Sequence, residues 1–199
     1  PSMDEAGENI TGVVDLHPEQ IDATVEFIDE YFEGANVGMV YNAGEQNSVN
    51  QVEAVEEAAK GTSLTIVERT VANASEVQQA AQSLSGEADV FYIITDNTVV
   101  SALESVVGVA NEQGIPMMTG EPDSLEKGGF ATFGIDYHTI GYRAGEMAAE
   151  VLNGETEIRE LPAEYPPEIQ LFINEEAAEE QGVEWNDDWN ESAELIEVE

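Results

Sequence analysis

Apolar and polar positions along this chain follow two periods, and the switches between them mark out its elements. Residues 37–41 (Val-Gly-Met-Val-Tyr) are a compact apolar run between turn residues, which predicts a buried strand. Residues 64–67 and 90–94 read the same way, and Ile115-Pro116-Met117-Met118 supplies a fourth strand. Between these runs, apolar residues recur at helical spacing: Ile21, Val25, Phe27 and Ile28, then Val49, Val52 and Val55, then Val77, Ala80, Ala81 and Leu84. A further helix is predicted over 99–111. Gly34, Gly61 and Gly114 stand where helices should stop, and Asn47-Ser48 and the stretch 73–76 are candidate caps.

Strand, short polar loop and helix thus succeed one another in the order that right-handed crossovers demand. The expected fold class is α/β, a doubly wound parallel sheet. After Gly120-Glu121-Pro122 the rhythm changes. Gly128-Gly129 leads to a strand at 131–135, and a long helix follows from 137 to 152, ended by Asn153-Gly154. A proline-rich stretch, 162–167, precedes a last apolar run at 169–173. The remaining acidic segment carries Trp185 and Trp189 and reads either as a docked final helix or as a loose tail.

Charge changes the picture more than length does. Forty-three carboxylates face five basic residues, for a formal net charge of −38. The carboxylates are spread along the chain rather than gathered at the spacing of a cation-binding loop; only 175–199 is locally denser. Such an excess repels itself over a Debye length of about 10 Å at 0.1 M salt, which shrinks to about 3 Å at 1 M. The composition is therefore read as a surface adapted to brine. Nucleic acid is excluded as a partner, because no basic patch exists to meet phosphate. The absence of cysteine excludes disulfides, zinc–thiolate sites and thiol catalysis.

In an open parallel sheet, ligands sit beyond the carboxyl ends of the strands. The loops expected there, 41–48, 70–75, 95–98 and 119–124, are small and polar. Ser48 and Thr98 at helix starts suit a ligand carboxylate, and Asp96 suits a ligand ammonium, a combination fitting an amino acid zwitterion. Each has a plain structural alternative: Asn47, Ser48 and Asp96 as simple caps, Tyr41 as core, His17 and His138 as turn or capping residues. Phosphate-loop, nucleophile-elbow, dinucleotide and zinc-protease motifs are all missing, so no catalysis and no cofactor or metal are expected.

Several segments together are similar to one family. Asn9-Ile10-Thr11-Gly12-Val13, Val37-Gly38-Met39-Val40-Tyr41-Asn42 with Glu45, Asn47 and Ser48, and the stretches 77–84 and 95–104 carry the likeness. Gly134-Ile135-Asp136-Tyr137 and the helix through Gly154 continue it. The chain resembles the ABC-transporter substrate-binding proteins that include tryptophan- and tyrosine-binding lipoproteins. The resemblance implies a type I periplasmic-binding-protein fold, with two lobes that close on a solute, most of the amino-terminal lobe being absent here. It implies a first crossing at 1–15, a carboxy-terminal lobe at 16–119, and a second crossing at 120–130. A strand and helix of the other lobe would follow at 131–154, then a proline-rich crossing, last strand and acidic tail at 155–199.

By the same resemblance, ligand contacts fall on Asn47, Ser48, Asp96, Asn97, Thr98, Asp136 and Tyr137. The implied partners are a small solute, an amino acid by preference, and ABC permease subunits. The full-length protein would be extracellular and lipid-anchored, with neither signal nor anchor in this chain. Ile135, Ile140 and Met147, deprived of their lobe, would be exposed unless they fold back onto the single lobe as an extra βα unit or pair two copies into a homodimer. A ligand-sensing regulatory domain and a flavodoxin-like enzyme are the alternatives of the same fold class.

Overall fold

The computed structural model describes residues 3, 9–15 and 17–196. Seven strands form one sheet in the order β2-β1-β3-β4-β5-β6-β7. β1 (Asn36–Tyr41) pairs in parallel with β2 (Thr65–Thr70) on one side and β3 (Val90–Ile93) on the other. β4 (Met117–Thr119) continues outward from β3, again in parallel. α1 (Gln20–Tyr31) precedes β1, and the helices between the strands are α2 (Gln46–Ala58), α3 (Val77–Leu84), α4 (Asn97–Val100) and α5 (Leu103–Gln113). This is the doubly wound arrangement the periodicity predicts.

Two apolar clusters fill the larger part of the molecule. One joins Ile28, Met39, Val55, Tyr92 and Trp189; the other joins Val40, Leu84, Phe91, Leu103 and Met117. Alternate residues of one strand serve different clusters: Met39 and Val40, and Phe91 and Tyr92, belong to opposite ones. That division follows from the two-residue period of a strand covered on both faces. Gly114 ends α5 in the left-handed region, φ +64°, which a side chain would strain.

Three elements depart from the sequence reading. The helix expected over 99–111 is two helices, α4 and α5, interrupted at Ser101-Ala102, where the Ser101 hydroxyl donates to the Thr98 carbonyl at 2.7 Å. The acidic end is neither one docked helix nor a loose tail. Beyond β6 (Gln170–Asn174), which falls on the last apolar run, it contains α7 (Glu175–Glu180), α8 (Trp189–Ser192) and a parallel edge strand, β7 (Ala193–Ile196). Trp189 is 1% exposed and seats this segment in the core. Third, β5 (Ala131–Gly134) sits beside β4, with Met118 opposite Ala131, rather than leaving with the helix that follows it. Thr132 is fully buried and its hydroxyl donates to the Thr119 carbonyl at 2.6 Å, so the strand closes an edge that β4 would otherwise leave open.

The chain divides into two compact units. The larger takes Ile21–Gly134 and the described residues from Leu171; the smaller takes the described residues up to Gln20 and Ile135–Gln170. The smaller unit holds α6 (Tyr137–Leu152), and its two extended segments lie side by side. Val13 bridges Glu164 in parallel, Val14 N–H donates to the Glu164 carbonyl at 3.0 Å, and Glu164 N–H donates to the Gly12 carbonyl at 2.9 Å. Arg143 of α6 forks onto the Glu164 carboxylate, 2.7 Å to each oxygen, and also reaches Glu146 and Glu150. Of the apolar residues expected to need a substitute surface, Ile135 and Met147 are buried, 5% and 1% exposed, and Ile140 is half-buried. The exposed apolar side chains of α6 are instead Tyr142 and Leu152.

Candidate functional site

The sheet changes direction at β1. The chain moves from β1 outward to β2, then returns to the other side of β1 for β3 and proceeds through β4, so β1 and β3 flank a topological switch point. The loops leaving their carboxyl ends, after Tyr41 and after Ile93, diverge there to the helices α2 and α4. Gly120 lets the next loop approach closely: a Cβ at this position would lie 2.9 Å from the Thr95 nitrogen.

Asp96 is the bolt between these loops. It is fully buried, and its carboxylate accepts from the Asn42 N–H at 2.7 Å and from the Val99 N–H at 2.8 Å. One bond ties the β1 loop to the β3 loop, and the other caps α4. Asn42 adds a second tie, donating through Nδ2 to Thr98 Oγ1 at 2.9 Å while its Oδ1 accepts from the Gly44 N–H.

Above this bolt sits Glu45. One carboxylate oxygen accepts from the Thr98 hydroxyl (2.7 Å) and N–H (3.2 Å). The other accepts from Asn97 Nδ2 (2.6 Å) and N–H (3.3 Å). Those donors, Thr98 first and then Asn97, hold its carboxyl below the usual carboxylate range. Asn47 Nδ2 donates to the Thr95 carbonyl at 3.2 Å, and Gln51 Oε1 accepts from the Thr95 hydroxyl at 2.9 Å. At the end of β1, Tyr41 donates to Glu68 at 2.9 Å; burial and then the Glu68 carboxylate push its hydroxyl up to about 12.

Of the seven residues singled out in the sequence, the fold brings five together here, in two layers. Asn47, Asn97 and Thr98 lie on the accessible layer, whereas Asp96 and Ser48 lie beneath it, both fully buried. Asp96 is therefore spent on two backbone N–H groups and offers no exposed face to a ligand ammonium. Ser48 neither caps nor faces outward: α2 starts at Gln46, and the Ser48 hydroxyl is buried without a partner among the described residues. Asp136 and Tyr137 belong to the smaller unit. There Asp136 caps α6, accepting from the His138 N–H and the Thr139 hydroxyl at 2.8 Å each, which holds its carboxyl below the usual range, Thr139 contributing most. Tyr137 is 42% exposed, and its hydroxyl donates to Asp15 at 3.3 Å. The reading from sequence named the loop holding Asn42 and Glu45 without choosing either as a site residue. Their signal was position: amide and carboxylate side chains at the carboxyl end of the strand beside the switch point.

The family described as ABC transporter substrate binding protein matches residues 1–196. The chain belongs to this family. It is 39% identical over 176 residues to a protein named as tyrosine-binding from Clostridioides difficile, a match spanning 88% of this chain and 50% of that protein. A conserved domain protein from Vibrio cholerae superposes with a TM-score of 0.83 at 32% identity, covering 96% of this chain and 64% of the other. An ABC domain from Streptococcus pneumoniae, solved in complex with L-Trp, superposes with a TM-score of 0.84 at 26% identity, covering 98% and 66%. The chain spans about half the length of the curated relatives it matches.

As a member of the substrate-binding family, the chain has the type I periplasmic-binding-protein fold. The accessible polar groups of the switch-point site are amides, hydroxyls and one carboxylate. Neither histidine lies in it, and no group of acidic and histidine side chains that could hold a metal ion occurs among the described residues.

Proposed function

We propose that this chain forms part of a solute-binding protein that delivers an amino acid, aromatic by preference, to an ABC permease. The observation that carries the reading is the switch-point rim. Asn47, Asn97 and Thr98 stand on a layer locked from below by Asp96 and edged by the Glu45 carboxylate. A rim of this kind offers fixed donors and acceptors to a zwitterion without any group poised for chemistry. The tyrosine-binding relative and the tryptophan-bound neighbour support an aromatic solute. Asp136 and Tyr137 are candidate ligand residues of the smaller unit in this reading, while Asp96 and Ser48 act by supporting the rim.

The full-length protein is read as extracellular and lipid-anchored, with its acidic surface suited to concentrated salt, where −38 charges are screened. Pairing of two copies through the exposed Tyr142 and Leu152 belongs to the same reading, and sedimentation velocity measures it.

The test is calorimetric titration with tyrosine, tryptophan and leucine in about 2 M KCl, where the Debye length is about 3 Å or less. It is run on this chain and on a form extended to the relatives' length. Saturable heat with the aromatic amino acids, weakened about tenfold or more in Asn97→Ala, is expected in the extended form. A folded, extended protein giving no heat with any amino acid would sink the assignment.

A further inference from the structure

A second concavity opens at the opposite edge of the sheet. Residues 114–116 and Tyr31-Phe32, which precede β4 and β1, border it, so it lies at the amino-terminal ends of the strands and away from the switch point. Its volume is about 610 Å³, in the range of small-molecule pockets, and it lies wholly within the larger unit.

Its aromatic side chains meet Trp189 at steep angles. Trp189 forms the floor, locked by Phe27 and Phe130 at centroid distances of 5.7 and 5.6 Å. Tyr31 meets it at 5.1 Å and 69°, and Trp185 at 5.4 Å and 88°. Trp185 is 36% exposed, as a wall open to solvent should be. The indole N–H of Trp189 is buried and has no hydrogen-bond acceptor among the described residues, leaving a polar group of the floor unpartnered. Glu184 and Asp187 stand exposed in the lining, and no lysine or arginine does.

We propose that this groove is a binding site for an organic cation of the methylated-ammonium class. The electron-rich faces of the half-buried Tyr31 and the exposed Trp185, both braced against the buried Trp189, attract a cation that sheds water cheaply, and the carboxylates of Glu184 and Asp187 supply the opposite charge. Sodium and potassium hold their hydration shells and gain only from the carboxylates, which the rest of this acidic surface offers equally. The aromatic walls therefore confer the selectivity. A neutral apolar ligand would use the rings but leave two carboxylates beside it without a counter-charge.

The chain's two tryptophans are both in this lining, so intrinsic emission reports the groove directly. The experiment titrates the whole chain with tetramethylammonium chloride, and in parallel with sodium chloride, ionic strength being held constant with potassium chloride. A saturable change in emission with tetramethylammonium alone is expected. Trp185→Leu, read through Trp189, should weaken it about tenfold, and Asp187→Asn about threefold. Asn97→Ala, which tests the switch-point rim, should leave it unchanged, so the two sites fail or hold separately. An equal response to sodium, a response that never saturates, or unaltered affinity in Trp185→Leu with native circular dichroism would each overturn the proposal.

Discussion

The two units of this chain are held by different kinds of force. The larger closes on itself: a sheet covered on both faces, two apolar clusters, and polar side chains such as Asp96, Asn174 and Gln181 fully engaged inside it. Among its described residues the smaller has one long α-helix, two extended segments and an arginine that gathers three carboxylates. It buries Ile135 and Met147 but leaves Tyr142 65% and Leu152 87% exposed. The lesson is that apolar patterning suffices where both faces of an element find partners in the same unit. Where they do not, directional polar contacts set the geometry, and these are cheaper to undo.

Breaking the larger unit should have the greatest effect. Phe91 is fully buried in the second cluster, and Phe91→Ala should cost about 3–5 kcal/mol, measured by urea unfolding. Gln181→Leu comes next. This buried amide accepts from the Met117 N–H at 2.9 Å and donates to the Gly128 carbonyl at 2.8 Å and to Asn111 at 3.1 Å. Stranding those groups should cost about 1–3 kcal/mol in the same assay. Arg143→Met should cost less, about 1 kcal/mol, because its ion pairs are partly exposed. Its signature is location: amide exchange should quicken at Val14 and Glu164 and stay unchanged at Phe91. Equal acceleration in both units would erase the contrast drawn above.

The smallest effect is that of acid. The carboxyls of Glu45 and Glu164 titrate below their ordinary value of 4.5, the first because of Thr98 and Asn97, the second because of Arg143. A carboxylate with a depressed folded pKa contributes stability above its unfolded pKa and loses it as pH falls through the folded value. Exchange at Thr98 and Val14 should therefore be flat from pH 7 to about 5, after correction for intrinsic rates, and rise below that. Glu164→Gln should abolish the rise at Val14 and leave Thr98 as it was.

Much of this was legible in the sequence because strands and helices covered on both faces leave a strong periodic trace. Val37 to Tyr41 and Val90 to Ile93 needed no tertiary information. What escaped was decided by pairing or by single hydrogen bonds. β7 reads Ala-Glu-Leu-Ile, short and half-exposed at an edge, with too few apolar positions to stand out from an acidic end. The division of α4 from α5 at Ser101-Ala102 leaves no break in the apolar spacing of the sequence. At the site, the sequence located the loops but could not rank their carboxylates. Asp96 and Glu45 are both acidic residues at strand ends; only the fold buries one under the Asn42 and Val99 backbone and leaves the other on top. The exposure of Asn47, Asn97 and Thr98 is likewise a product of tertiary packing.

The adjacency of β5 and β6 carries a consequence for how the chain can be cut. The backbone leaves the sheet after Gly134 and returns at Gln170, and a methyl built on Gly134 would lie 3.2 Å from the ring of Phe172. Departure and return are thus neighbours in space although 35 residues of the sequence, 135–169, lie between them. In topological terms that stretch is an excursion from a continuous sheet. Replacing it with a short turn severs no strand from its partners, so the seven-stranded lobe is a graftable module whose excursion can be exchanged without redesigning the scaffold.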